Sequence, residues 1–345
     1  MGNGGFKAVR LNARTFPVIP EELSELEKVG ATLVCIEGAT PGEILDEARD
    51  ADAVLTVSAK LRKDVIDHLE RCRVVSRYGI GVDYIDIDAL TGKGIILTNV
   101  PDFCVHEMAD HTMALILGIT RQLVKMDEIT RSGAWSNRLV YPTRRLAGKR
   151  LGFVAFGKIP RAVAERAKPF GLELWAYDPY VDPREAEKRS VDLVSSLEEL
   201  LRGCDFVSVH TPLTEETRHL IGEAELRMMK PTAVLVNTSR GAVVDEDALV
   251  RALQERWIAG AALDVYEHID VFVERDAKPV SPLTGLDNVV LTPHVGAISD
   301  ESLQDLQVRA ARQAAQVLSG RWPDNVVNKG VVPRYPLAGQ PGGPR

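Results

Sequence analysis

Short apolar runs alternate along this chain with stretches whose apolar residues recur every three or four positions. The runs FKAVRLNA, ATLVCIE, DAVLTVS, RVVSRYG and IILTNV read as strands. Between them PEELSELEKVG, PGEILDEARDA, LRKDVIDHLERC and DIDALTGKG read as helices, the first stopped at Gly30. Strands separated by helices imply right-handed crossovers and parallel sheets. The rhythm breaks over residues 103–124, FCVHEMADHTMALILGITRQLV, a long and mostly apolar helix pattern with no strand beside it. A polar stretch, SNRLVYPTRRLAGKR, follows. A second alternation starts at Leu151, with strands RLGFVAF, LELWAY, DFVSVH, TAVLVNT, IAGAALD and NVVLTP. These runs are apolar on both faces, as in the centre of a parallel sheet. The chain closes with a helix pattern near 299–319 and a Pro/Gly-rich end, VVPRYPLAGQPGGPR, which reads as disordered. The pattern predicts an α/β protein of two doubly wound parallel-sheet units. The first has four or five strands, and the last helix is its completing element.

Composition narrows the function classes. A chain of 345 residues exceeds one average core, which agrees with two units. A net charge of −7 argues against a nucleic-acid partner bound through its phosphates. No apolar run reaches the ~18 residues of a membrane span. The opening MGNGGFKAVR has no apolar signal core, and Phe6 stands where a myristoylation signal wants Ser or Thr. Cys35, Cys72, Cys104 and Cys204 are scattered, with no C-x-x-C pair. That suits a reducing compartment, hence the cytoplasm, and supplies no metal framework.

The stretch LGFVAFGKIPRAVAERAKPFGLELWAYDP, residues 151–179, reads strand, tight turn, helix, strand, acid. A dinucleotide-binding βαβ unit has that plan, with G-x-G-x-x-G at the turn. Here only the middle glycine, Gly157, is present. Ala155 takes the first position, which a negative φ would allow, and Pro160 takes the third. A proline in the first helical turn gives up an N–H that has no intrahelical partner. Phe156, Gly157, Lys158 and Ile159 lead into the helix amino terminus, which offers N–H groups and a positive dipole end to a phosphate. Asp178 ends the second strand, where an acid would hold ribose hydroxyls, and no arginine follows it directly, which favours NAD over NADP. Alone, this unit fits a cofactor turn or a crossover that packs without a ligand.

Longer blocks decide between them. RYGIGVDYIDIDALTGKGIILTNVPDFCVHEMADHTMALIL, VSVHTPLTEETRHLIG, MKPTAVLVNTSRGAVVDEDALVRALQERWIAGAALDVYE and LDNVVLTPHVGAISDESL resemble the D-isomer-specific 2-hydroxyacid dehydrogenase family. NVPDFCVHEMADHT and PHVGAISDES are most similar to its C-terminal-binding-protein-like branch. The resemblance implies a flavodoxin-like substrate domain of residues 1–101 and 297–330, a Rossmann NAD domain of residues 102–296, and a disordered tail at 331–345. It also implies a homodimer, with the helix over 103–124 at its interface.

The family pattern assigns residues. The reaction moves a hydride between NAD and the carbonyl carbon of a 2-keto acid, and a proton must move at the oxygen. His294, in TPHVG, suits the proton transfer because its pKa lies near working pH. Arg240, in NTSRG, lies just after a strand, at the sheet edge where ligands of open α/β sheets bind. Its guanidinium can grip a carboxylate and polarise the ketone. Asp264 is implied to contact the nicotinamide amide. His210, Thr211, Pro212 and Leu213 follow another strand and match cofactor contacts, as do Thr238, Ser239 and Gly296; His210 and His219 also suit structural roles. His106 and His111, on the long helix, read as interface or core residues. Tyr78, Gly79 and Ile80 form a glycine-rich turn whose bared N–H groups suit the substrate carboxylate.

One family feature is displaced. The glutamate that pairs with the histidine lies five residues after the aspartate matched by Asp264, and here that position is Ile269. The loop EHIDVFVERDAKPVSPL is longer than the family's. Counting back from Ser281-Pro282-Leu283 reaches Glu274, the expected catalytic partner, with Glu267 and Asp270 as the other candidates. Two further readings share the fold: an NAD(H)-responsive binding or corepressor-like protein, and a formate- or phosphite-type dehydrogenase. No metal site is expected.

Overall fold

The structure is a computed structural model and describes residues 5–135, 143–269 and 281–339. The chain divides into two compact units, Met1–Phe103 with Ser299–Arg345, and Cys104–Ile298. Among the described residues no helix is long and apolar enough to cross a membrane.

The first unit holds a parallel sheet of β1 (Phe6–Arg10), β2 (Ala31–Cys35), β3 (Ala53–Thr56), β4 (Val74–Arg77) and β5 (Ile96–Thr98), in the order β2-β1-β3-β4-β5. That is the flavodoxin-like order. Successive residues Ala8 and Val9, and all of β3, are buried, so both faces are covered. The carboxyl-terminal helix Asp300–Leu318 returns to this sheet. Ser299 caps it, and Ser302 closes a capping box. Its small residues Ala310, Ala311 and Ala314 let it approach closely, and the Ser76 hydroxyl donates to the Ala310 carbonyl at 2.8 Å.

Residues 331–339 depart from the sequence reading of a disordered tail. Val331 is buried in the same core, and Arg334 donates to the carbonyls of Lys93 (2.8 Å) and Glu70 (3.0 Å). A valine with a core slot and an arginine that satisfies open carbonyls hold a segment that composition alone marks as unstructured.

The second unit holds β6 (Arg150–Val154), β7 (Glu173–Tyr177), β8 (Asp192–Leu193), β9 (Phe206–Val209), β10 (Val234–Asn237), β11 (Gly260–Leu263) and β12 (Val289–Leu291). All pairings are parallel, in the order β12-β11-β10-β9-β6-β7-β8. The strand order reverses between β6 and β9, the switch point at which open α/β sheets bind ligands. Every residue of β9, β10 and β11 is buried.

The long apolar helix is shorter than its pattern. It spans Val105–Thr120, and Gln122, at φ 53°, separates it from a second helix, Leu123–Arg131. Its apolar residues Met113, Leu115, Ile116 and Ile119 pack into the core of its own unit beside Val163 and Ala167. The apolarity of this helix therefore needs no second subunit to cover it. Exposed apolar surface lies instead at Leu123, Val124 and Trp135, the last 86% exposed.

Candidate active site

The turn after β6 is built differently from the sequence expectation. Ala155 has φ 72°, the left-handed region, not a negative φ. The turn imposes it: Ala155 N–H donates to the Tyr177 carbonyl at 2.9 Å, and Phe156 N–H donates to Asp178 Oδ2 at 2.9 Å. Gly157 caps the helix Lys158–Ala167 in extended backbone, and a Cβ built there meets nothing within 4 Å. That open space lies beside helix N–H groups, as a phosphate requires. Phe156 itself is fully buried in the core, so only its backbone faces the turn. Pro160 is buried in the first helical turn. The other oxygen of Asp178, Oδ1, accepts from Tyr180 N–H at 2.8 Å.

The remaining candidates in this unit follow the carboxyl ends of neighbouring strands. After β9, the His210 ring packs against Phe153, and its Nε2 lies 2.8 Å from the Ser208 hydroxyl. Burial pushes its pKa down to about 3, so it stays neutral at working pH. Among the described residues the buried hydroxyl of Thr211 has no hydrogen-bond partner. Pro212 is exposed beside it. After β10, the Asn237 amide holds the turn that carries Arg240. Its Oδ1 accepts from Ser239 N–H (3.0 Å) and Oγ (2.9 Å), and its Nδ2 donates to the Arg240 carbonyl at 2.9 Å. Sequence reasoning missed Asn237, although an asparagine at a strand end is a turn signal. Thr238 is buried, its hydroxyl 3.2 Å from that of Thr112. Gly241 is fixed by contact: a Cβ there would lie 1.9 Å from the Tyr266 carbonyl carbon.

Asp264, after β11, ties down the loop that carries His294. Its Oδ1 accepts from the Thr292 hydroxyl (2.6 Å) and Val295 N–H (2.9 Å), and its Oδ2 from Gly296 N–H (2.9 Å). His111 Nε2 stands 3.0 Å from the Thr292 hydroxyl and 3.4 Å from Asp264 Oδ1. Burial works to raise the Asp264 pKa, but the bonds from His111, Thr292, Gly296 and Val295 outweigh it and hold the carboxyl below its ordinary value. Asp264 is 1% exposed and faces its own loop. A Cβ on Gly296 would come within 2.9 Å of Asp264 Oδ2, so the close approach needs glycine. His294, between these anchors, has φ 58°, a conformation a non-glycine residue keeps only when its surroundings impose it. The sequence missed His111 because its partners are distant in the chain.

In the first unit, the side chain of Tyr78 is not presented to a ligand. It is buried, donates to Glu22 Oε1 at 2.6 Å, and stacks under the Arg10 guanidinium at 4.1 Å. Arg10 is itself buried and bonded to Glu22 at 3.1 Å. Gly79 has φ 136°, and its carbonyl accepts from Val100 N–H at 3.1 Å; the Ile80 carbonyl accepts from Asn99 at 2.6 Å. The turn is thus held through its carbonyls.

Of the candidate acids, Glu267 is committed elsewhere, to His219 (2.8 Å) and Arg218 (3.2 Å). Glu274 and Asp270 lie outside the described residues. Among the described residues no cluster of His, Cys, Asp and Glu could hold a metal ion. The buried Thr211 hydroxyl and the open cradle over Gly157 fit a dinucleotide.

Known proteins agree with this geometry. Residues 113–296 match the family described as D-isomer specific 2-hydroxyacid dehydrogenase, NAD binding domain. The chain is 40% identical to the glyoxylate reductase of Thermococcus litoralis over 302 residues, 86% of this chain and 89% of that one. It is 39% identical to the D-3-phosphoglycerate dehydrogenase of Methanocaldococcus jannaschii over 94% of this chain and 60% of that one. Among solved structures, the D-lactate dehydrogenase of Aquifex aeolicus, complexed with NAD and lactic acid, superposes with a TM-score of 0.82 at 26% identity, over 93% of this chain and 99% of that one. The chain belongs to the D-isomer-specific 2-hydroxyacid dehydrogenase family, NAD-dependent oxidoreductases of 2-hydroxy acids.

Proposed function

We propose that the protein reduces a small 2-keto acid of the glyoxylate class to its 2-hydroxy acid with NADH. The observation that carries this reading is the His294 loop, which follows a strand end, holds a strained φ and is knotted to a buried carboxylate. The relatives named glyoxylate reductase support the substrate class.

When bound, NADH supplies the hydride. Protonated His294 gives its proton to the keto oxygen during reduction, and neutral His294 removes the hydroxyl proton during oxidation. Arg240 grips the substrate carboxylate and draws charge onto the keto oxygen. Asp264 sets where His294 stands. The helix N–H groups after Gly157, with Lys158 and Ile159, take the pyrophosphate, and Asp178 takes the ribose hydroxyls. The Thr211 hydroxyl, Pro212, Thr238, Ser239 and Gly296 line the cofactor. The turn contributes the backbone N–H groups of Gly79 and Ile80 to the carboxylate, since the Tyr78 N–H donates to the Thr56 carbonyl at 2.8 Å. Glu274 is the proposed partner that stabilises the His294 imidazolium. A homodimer through Leu123, Val124 and Trp135 would cover their exposed apolar surface. The four scattered cysteines, with no C-x-x-C pair, support a cytoplasmic setting. Placement in the C-terminal-binding-protein-like branch rests on NVPDFCVHEMADHT and PHVGAISDES alone.

NADH consumption with glyoxylate, hydroxypyruvate and pyruvate tests the reading. His294→Ala should lower kcat by about 10²–10⁴-fold and leave NADH binding in place. Arg240→Ala should raise KM for the keto acid and lower kcat. No turnover with any of the three acids, or wild-type turnover by His294→Ala, rejects it.

A further inference from the structure

The amino-terminal edge of the seven-stranded sheet carries a cavity of about 260 Å³. Its wall includes Phe206, Val234 and Gly260, the first residues of β9, β10 and β11. The same strands end at the other edge, beside Thr211, Arg240 and Asp264. Each spans four residues, so roughly 10–13 Å of strand separates the cavity from the candidate active site.

The charge around this cavity is one-sided. Lys125, Arg144, Arg145, Lys149 and Arg256 line it, against Asp205 and Asp287. Both acids are already paired: Asp287 with Arg256 at 2.9 Å, and Asp205 with Lys230 at 3.4 Å and Lys149 at 3.9 Å. Arg144 donates to the Thr232 carbonyl. Lys125 and Arg145 form no ion pair among the described residues. A second feature lies in the same wall. Thr120, the last residue of its helix, lines the cavity and is 5% exposed, and its buried hydroxyl has no hydrogen-bond partner among the described residues. An unpaired buried hydroxyl is unfavourable, and a helical threonine ordinarily bonds the carbonyl one turn back.

We propose that this cavity binds a compact polyanion of the diphosphate class, at a site separate from the dehydrogenase centre. Two adjacent arginines present planar forks that match phosphate oxygens, and Lys125 adds a mobile point charge. The volume is too small for a dinucleotide but admits a pyrophosphate-sized anion.

Calorimetric titration of the full chain with sodium pyrophosphate, at fixed ionic strength, tests the proposal. One saturable site per chain is expected, with a higher Tm in its presence. The double variant Lys125→Ala/Arg145→Ala removes two charges that form no ion pair among the described residues and should bind at least tenfold more weakly. Thr120→Val should raise the Tm of the free protein and leave pyrophosphate affinity within about twofold, since the hydroxyl is sealed from the cavity. NADH titrations should be unchanged in both variants. The proposal is overturned by the absence of a saturable signal, by wild-type affinity in the double variant, or by competition between pyrophosphate and NADH. Equal binding of citrate and sulfate overturns it too, since that describes a diffuse cationic surface. Light scattering on the same samples reads assembly; a loss of binding that accompanies a change in mass overturns direct contact with Lys125 and Arg145.

Discussion

Ala155 sits at φ 72°, where an L-residue with a Cβ is strained by about 1–2 kcal/mol and glycine is not. Ala155→Gly should therefore raise unfolding stability by roughly 0.5–1 kcal/mol, since the extra freedom of the unfolded glycine offsets part of the relief. Chemical denaturation reads it, and a fall in stability would show that the turn is relaxed around the methyl. Sequence spacing located this turn but could not set the sign of φ, because the sign follows from bonds to Tyr177 and Asp178 on the next strand. Asp264 shows the same limit. The family resemblance implied a contact to the nicotinamide amide, and the sequence could not show the bonds the carboxylate also makes to Thr292, Val295 and Gly296. The folded pKa is lowered, so the ionised carboxylate stabilises the fold above the unfolded value of ~3.9, and that contribution is lost as pH falls through the lower folded value. Asp264→Asn removes it at every pH. The stability gap between wild type and variant should be on the order of 2–3 kcal/mol at neutral pH and should shrink below about pH 4. A gap that stays constant down to pH 3 would mean that the fold does not depend on this charge.

At the scale of elements, the strands were legible because each is a run of buried residues on both faces of a covered sheet. β8 was not, since Asp192 and Leu193 are both exposed and make no apolar run. The helix expected over LRKDVIDHLERC is a single turn, Lys63–Ile66, although its residues Val65 and Ile66 are buried as the pattern required. The βαβ unit around Gly157 was legible in outline, and its acid carries a prediction. Asp178 braces the turn through Phe156 N–H, so its carboxylate is held in place, and the proposed ribose contact depends on it. A 2′-phosphate about 4 Å from it would be repelled by about 4 kcal/mol at an effective dielectric of ~20. Fluorescence titration should show NADH bound at least tenfold more tightly than NADPH. Asp178→Ala should narrow that ratio and weaken both, because Phe156 N–H loses its acceptor. Equal affinities in the wild-type protein would refute the preference.

At the scale of the whole molecule, the alternation of strands and helices announced two sheets, and the break at 103–124 announced where one ends. It could not show the cost of dividing the first unit between the two ends of the chain. The helix Asp300–Leu318 seals one face of the five-stranded sheet with Leu306, Val317 and Leu318 beside its alanines. Burying those three large side chains contributes about 5–9 kcal/mol, comparable to the entire stability of a typical domain. The cores of the second unit draw only on residues between 104 and 298. The two units should therefore differ when cut. A fragment of residues 104–298 should melt cooperatively and bind NADH within about tenfold of the full chain, since the Gly157 turn, Asp178 and Thr211 are all present. A fragment of residues 1–103 should lack a cooperative transition, because the face that Leu306 and Val317 cover becomes exposed apolar surface. Supplying residues 299–345 as a separate peptide should restore it, with a transition that rises with peptide concentration. Circular dichroism melts of the three samples decide the matter: cooperative melting of 1–103 alone would show that the returning helix is dispensable, and an unfolded 104–298 would show that the NAD domain depends on its neighbour.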